Sequence, residues 1–350
     1  MKIAILQNFY FPYNKGGAEN FVKESISKLQ KQNHQIILIT TKPKNKKIIK
    51  EEIDELKTYR IASKCHSLSD KSLFWRYFWH ISNIYNPKRK RIIKKILEDE
   101  KVDLCISHNL IGLGLFLPKL FYKLKIKHIH YLHDIQLLHP SGLMFWGKEN
   151  ILNTCLAKKY QLINRYYFKH LYKVISPSNW LMKEHLNKGF FKESAAEIKP
   201  LKEIKKSTEN YNRQKNSFLF VGQVEKHKGI EFLIKTFNKI KKNNIELKII
   251  GDGKDHNRLK KLYQDDKRII FLGRKNKKEV EDQMKISSVL IVPSLCYENS
   301  PTVIYEAKDN NLTTIASSIG GISEIIENPK LLFIPENEED LLEKINMFIS

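Results

Sequence analysis

Long apolar runs are missing from this chain. No stretch of about 18 uncharged apolar residues occurs in its 350 positions, so no membrane-spanning helix is expected. The opening MKIAILQNFYF has one lysine and an apolar run too short for a secretory signal, followed by Pro-Tyr-Asn rather than small residues; it reads as a first buried strand. Cysteine is sparse. Cys65, Cys105, Cys155 and Cys296 are widely separated and form no CxxC pair, which argues against a zinc site and fits free thiols in a reducing cytosol. Neither GxGxxG nor GxxxxGK[ST] is present, so neither a dinucleotide fingerprint nor a P-loop is supported. No RNA- or DNA-recognition motif is present either. Acidic residues are scarce in one part only: residues 1–200 carry 36 Lys and Arg against 16 Asp and Glu, and residues 201–350 carry 26 against 22. The net charge of +24 therefore belongs mostly to the N-terminal part, densest in KPKNKKIIK (42–50) and PKRKRIIKK (87–95). Such runs attract anionic lipid or nucleic acid.

What is present is an alternation. Apolar strand candidates at 3–7, 34–41, 102–107, 126–134 and 172–178 are separated by amphipathic stretches. A second series follows at 217–224, 245–253, 268–273, 287–294, 313–318 and 331–335. Near-continuous apolar strands between helices predict parallel sheets covered on both faces, and two series predict two doubly wound α/β domains. The polar stretch 191–216 reads as the linker and places the domains at 1–200 and 201–350. Ligands in such sheets sit at the carboxyl ends of the strands, so a site between the two would collect loops from both.

The candidate residues follow those strand ends. KGGAEN (15–20) puts Gly16 and Gly17 before a helix start, where backbone amides can approach an anion; taken alone the pair is also a plain tight turn. YLHDIQLLHPSG (131–142) puts His133 and Asp134 at a strand end, with His139 as a competitor. FVGQVEKHKGIEFLI (220–234) carries Gln223 and Lys228 in the loop before a helix. YENSPTVIYEA (297–307) places Glu298 and Glu306 around a helix predicted over 301–308, with Ser300 as N-cap and Pro301 at the first helical position. Glu298 in the loop and Glu306 in the second turn border one anion-binding helix terminus, spaced to accept hydrogen bonds from hydroxyl groups. A phosphate flanked by hydroxyls, as in a sugar nucleotide, suits that arrangement.

The Glu, seven residues and Glu-Ala of this stretch resemble the retaining glycosyltransferases of family 4, which have the GT-B fold of two Rossmann-like domains facing a cleft. GGAE, the mid-domain His-Asp, a loop ending in Lys-Gly, GDG and SSIGGISEII (317–326) occur in that family's order. The resemblance covers nearly the whole chain. It implies a retaining hexosyltransferase-type enzyme acting on a nucleotide diphosphate sugar. Glu306 would hold the ribose hydroxyls and Glu298 the donor sugar. The amides after Glu298, at Asn299 and Ser300, would hold sugar or phosphate. Lys228 would neutralise the leaving diphosphate, Gly16 and Gly17 would let the N-terminal domain approach it, and His133 would sit by the reacting sugar. No cofactor and no obligatory metal are implied, since lysine and helix amides stabilise the charge instead. Two departures stand out. Gln223 occupies the place of the family's arginine, and the chain stops near the start of the region where family members continue into a crossing helix.

The expected acceptor is a lipid-linked saccharide or a lipid at the inner membrane face, within polysaccharide or cell-envelope assembly, for a cytoplasmic, peripheral enzyme. The aromatic and basic segment 72–95, with Phe74, Phe78, Ile81 and Tyr85 at helical spacing, is the expected contact with an anionic membrane surface; a core-packed helix is the alternative. A nucleotide-sugar epimerase, an inactive family member and a basic nucleic-acid-binding protein are the other readings, nucleic acid being disfavoured by the missing motifs.

Overall fold

A computed structural model describes residues 1–13, 17–43, 49–53, 56–70, 72, 75, 79–80 and 83–350. The chain divides into two compact units, Met1–Gly142 with Ile151–Lys199, and Leu143–Asn150 with Pro200–Ser350.

The first unit is built on an eight-stranded sheet in the order β3-β4-β2-β1-β5-β6-β7-β8. Its strands are β1 (Lys2–Leu6), β2 (Gln35–Lys42), β3 (Ile49–Ile53), β4 (Leu56–Ala62), β5 (Leu104–Ser107), β6 (Lys127–Tyr131), β7 (Lys173–Ser176) and β8 (Ala195–Ile198). All neighbours run parallel except the β3–β4 pair. Strands β1 and β2 are almost wholly buried, as apolar runs covered on both faces require. Among the described residues, the α-helices of this unit are α1 (Gly17–Lys31), α2 (Pro87–Asp99), α3 (Leu117–Lys123), α4 (Cys155–Tyr167) and α5 (Asn179–Asn187). Helix α2 starts where Asn86 accepts a hydrogen bond from the Arg89 amide and Pro87 opens the first turn.

Three strands here lie outside the expected segments: β3, its neighbour β4 and β8. Strand β3 reads IKEEI and hides in a charged stretch; it is an edge strand, where charge is tolerated, and its Glu51 pairs with the buried Arg60 of β4. Strand β8 falls inside the stretch read as linker, yet it completes the first sheet beside β7.

The second unit carries a six-stranded, all-parallel sheet in the order β11-β10-β9-β12-β13-β14. The strands are β9 (Ser217–Val221), β10 (Glu246–Ile250), β11 (Ile269–Gly273), β12 (Val289–Val292), β13 (Thr313–Ser317) and β14 (Leu332–Phe333). Its helices are α6 (Ile230–Asn238), α7 (His256–Leu262), α8 (Lys277–Ile286), α9 (Thr302–Asp309), α10 (Ile322–Ile325) and α11 (Glu338–Asn346). Phe218, Leu233, Phe237 and Ile291 fill one side of the sheet; Leu219, Leu290, Ile304 and Ile322 fill the other. Residues 200–214 form no regular element but are fastened to this unit. The Arg213 guanidinium donates to the carbonyls of Met284 (2.6 Å), Ser287 (2.9 Å) and Asn310 (2.6 Å).

No helix among the described residues is long and apolar enough to cross a membrane. Of the segment 72–95, Phe74, Phe78 and Ile81 lie outside the described residues; Trp75 and Tyr85 are exposed.

Candidate functional site

In the second unit the strand order reverses at β9, which has β10 on one side and β12 on the other. A switch point of this kind opens a crevice beyond the carboxyl ends of the two central strands. The loops that leave β9 and β12 meet there. After β9 a short 3₁₀ turn, Lys226–Lys228, ends at Gly229 with φ +71°. A Cβ at Gly229 would lie 1.7 Å from the Pro293 carbonyl oxygen, so only glycine lets the two loops touch. The Leu295 amide then donates to the His227 carbonyl at 3.0 Å.

This contact brings Lys228 to Glu298. Lys228 Nζ lies 2.5 Å from Glu298 Oε1, and the Ser294 hydroxyl donates to the same oxygen at 3.0 Å. Burial alone would raise the Glu298 pKa, but Lys228 and then Ser294 hold it below the usual carboxylate value. Burial would likewise lower Lys228, and Glu298 outweighs it, leaving the ammonium above its ordinary value. The pair is therefore fully ionised at neutral pH. Gly320, at φ +60°, backs it from behind: its Cβ would lie 2.3 Å from the Glu298 carbonyl oxygen, which accepts from the Gly321 amide at 2.8 Å. The glycines of SSIGGISEII thus fix the backbone of the acidic loop. Those of GDG do the same for the β9 loop, Gly251 lying against the Gly222 carbonyl.

The helix beyond Glu298 begins one residue later than expected. Pro301 is its N-cap and no side chain caps it. The Ser300 hydroxyl pairs instead with Tyr305 Oη at 2.9 Å, inside the buried face, so Ser300 is not the N-cap. Asn299 and Ser300 are both buried. Glu306 stands partly buried in the second turn of α9, at the wall of a pocket of about 400 Å³ shared with Lys202, Tyr211, Lys277 and Lys285. Glu298 and Glu306 therefore have different surroundings, one ion-paired at the switch point and the other on the helix flank. Gln223 is exposed in the β9 loop, its carbonyl accepting from the Glu225 amide at 2.9 Å.

In the first unit Gly17 opens α1, and Gly16 lies outside the described residues. His133 follows β6 and His108 follows the adjacent β5, and the fold sets them face to face: His108 Nδ1 is 2.9 Å from His133 Nε2. Phe21 of α1 packs edge-on against both rings, and Tyr131 stacks on His108 at 5.0 Å. Burial pushes the His133 pKa down to about 4, so both rings are neutral. A cavity of about 20 Å³, enough for one water, is lined by His108, His130, His133 and Asp134. Burial pushes Asp134 up to about 6 even though its carboxylate accepts from the Gln136 amide. Sequence reasoning passed over His108 because CISHNL offers no motif; only strand adjacency places it. His139 bonds Ser141 at 2.7 Å and does not line this cavity. Among the described residues, no group of three or more His, Cys, Asp or Glu side chains is arranged to hold a metal ion.

Two family models divide the chain between them. One, described as "Glycosyltransferase Family 4", matches residues 15–197, and one described as "Glycosyl transferases group 1" matches residues 202–350. The chain belongs to the GT-B glycosyltransferases. An uncharacterised 42.6 kDa protein in the cps region of Klebsiella pneumoniae is 24% identical, over 97% of this chain and 91% of that one. An uncharacterised glycosyltransferase of Methanocaldococcus jannaschii is 28% identical, over 99% and 87%. Among solved structures, Anabaena HepE in complex with UDP shares the fold at a TM-score of 0.70 and 15% identity, over 99% of this chain and 89% of that one. Within this glycosyltransferase the ionised Lys228–Glu298 pair stands at the switch point and the neutral His108–His133 pair at the strand ends of the first unit.

Proposed function

We propose that this glycosyltransferase moves a sugar from a nucleoside diphosphate sugar to a lipid-linked saccharide or lipid, retaining the anomeric configuration. Residues 201–350 hold the donor and residues 1–200 the acceptor, with the enzyme peripheral at the inner membrane face. The observation that carries the reading is Lys228 held at the switch point by Glu298, beside a helix N-terminus without a side-chain cap. A diphosphate placed there meets an ammonium and the first amides of α9, which together stabilise the charge that develops on the leaving group. Glu298 then turns to the hydroxyls of the sugar, Glu306 to those of the ribose, and the Asn299 and Ser300 amides to sugar or phosphate. Gly16 and Gly17 give close approach to the donor phosphate, and His133 lies beside the reacting sugar. Gln223 contributes a neutral hydrogen bond. The UDP seen in HepE makes uridine the first nucleoside to try.

The test is a thermal-shift screen of nucleotide sugars, then turnover of the best binder on membrane extract, with the product's anomeric configuration determined. Stabilisation by one nucleotide sugar and a retained product are expected. Isomerised sugar from donor alone would make the protein an epimerase, and an inverted product would end the retaining assignment.

A further inference from the structure

Helix α4 leaves large apolar side chains in water. Its buried face carries Gln161 and Asn164, whose amides donate to the carbonyls of Leu138 (3.1 Å), Leu152 (2.8 Å) and Leu137 (2.9 Å). Ala157 and Tyr160 are buried beside them, but four large apolar side chains point the other way: Leu156 is 64% exposed, Leu162 61% and Tyr166 58%, with Ile163 beside them. A helix that buries two amide side chains and leaves leucines in water has a use for that outer face.

The face continues onto its neighbours. Lys119 of α3 lies 3.6 Å from the centre of the Tyr166 ring, and exposed Tyr122 stacks on His170 at 4.3 Å. Helix α3 packs in turn against α2, where Lys90 lies over the exposed Tyr85. Charge on this layer is mostly positive. Helices α2, α3 and α4 together carry eleven Lys and Arg, and their only acidic residues are Glu98 and Asp99.

We infer that the layer formed by α2, α3 and α4 docks on an anionic lipid bilayer, with Leu156, Leu162, Ile163 and Tyr166 entering the headgroup region and the surrounding lysines and arginines meeting lipid phosphates. Exposed apolar side chains ringed by cations suit that occupant. A nucleic acid backbone would use the cations and leave the leucines in water. A second copy of the chain would bring two surfaces of the same charge together. The inference deepens the reading of a lipid or lipid-linked acceptor, and it rests on that reading only for its purpose. Docking is measured without donor or acceptor, so a failure of transfer and a failure of docking are distinguishable.

The experiment is co-sedimentation with vesicles of phosphatidylcholine alone or mixed with phosphatidylglycerol. Wild type is compared with an apolar variant (Leu156→Gln, Leu162→Gln, Ile163→Gln) and a charge variant (Lys119→Gln, Lys123→Gln, Lys158→Gln, Lys159→Gln). These side chains are exposed or partly so, and unchanged melting midpoints establish that both variants fold. Wild type should bind the mixed vesicles and not the neutral ones. The apolar variant should bind at least about tenfold more weakly, and the charge variant should lose most of its salt sensitivity. Wild type ignoring anionic vesicles at low salt, or an apolar variant that binds as well as wild type, overturns the inference. So does single-stranded RNA binding without vesicle binding, or a dimer in light scattering that the apolar variant dissolves.

Discussion

Lys228 and Glu298 are joined at 2.5 Å although 70 positions separate them in the chain. The two residues expected to face the diphosphate and the sugar are each other's partner. A phosphate that binds at Lys228 must share it with Glu298 or displace that carboxylate towards the sugar. The two groups therefore have separable effects. Lys228→Ala removes the charge and should weaken UDP and UDP-sugar binding about ten- to a hundredfold, the range of a lost charge-assisted hydrogen bond. Glu298→Gln frees Lys228, so UDP alone should bind at least as tightly as to wild type, while transfer falls. Calorimetry with UDP, on variants whose melting midpoints show them folded, checks both. Equal losses of UDP affinity in the two variants would mean that Glu298 contacts the nucleotide itself.

Gln223 is exposed in the same unit's β9 loop, so an arginine there needs no burial of charge. If the missing cation limits leaving-group stabilisation, Gln223→Arg should raise kcat with little change in stability. Initial rates at saturating donor decide it. A folded variant with intact binding and lower kcat would show a site built around glutamine.

Much of this was legible in the chain, and the exceptions have physical causes. Strands such as β1 and β9 announce themselves because burial on both faces demands unbroken apolar runs. Strand β3 does not, because an edge tolerates IKEEI, and the Arg60–Glu51 ion pair accompanies its pairing to β4. Ser300 has the residue type of an N-cap, yet Tyr305, five positions on, offers its hydroxyl a buried partner instead. The Lys228–Glu298 pair and the His108–His133 pair need the strand order before they can be seen. Individual residues were nameable from motifs; which ones touch was decided by the sheets.

Buried neutral histidines give the protein an acid limit. Burial lowers His128 to about 3 and both His133 and His185 to about 4. In the unfolded chain each takes up a proton near pH 6.5, so below that pH unfolding binds protons and stability falls as pH drops towards about 4. Asp134, raised to about 6, works in the opposite sense, since the folded state keeps its proton where the unfolded state loses it. Each proton taken up on unfolding changes stability by about 1.4 kcal/mol per pH unit. Burial lowers His108 and His130 as well, so the buried histidines outnumber Asp134 and leave a net loss on acidification. Thermal melts between pH 7.5 and about 5 should show a falling midpoint, less steep in His185→Gln if that variant folds. A midpoint that rises on acidification would contradict neutral buried histidines.

His133 is the first-unit residue proposed to lie by the reacting sugar, and His108 holds its Nε2. Two neutral imidazoles at 2.9 Å form one hydrogen bond, one ring donating and the other accepting, which fixes the His133 ring. His133→Ala should lower kcat at unchanged UDP affinity if, as proposed, the nucleotide is held by the other unit. His108→Ala should lower kcat less, because His133 remains but loses its fixed orientation. His108→Asn keeps a hydrogen-bonding group at this position and should recover part of the loss. Measuring kcat and UDP affinity for all three variants separates positioning from a purely structural role. If His108→Asn and His108→Ala fall equally while both fold, the hydrogen bond to His133 has no part in orienting it. If His133→Ala keeps wild-type kcat, the sugar is reached by another residue of the first unit.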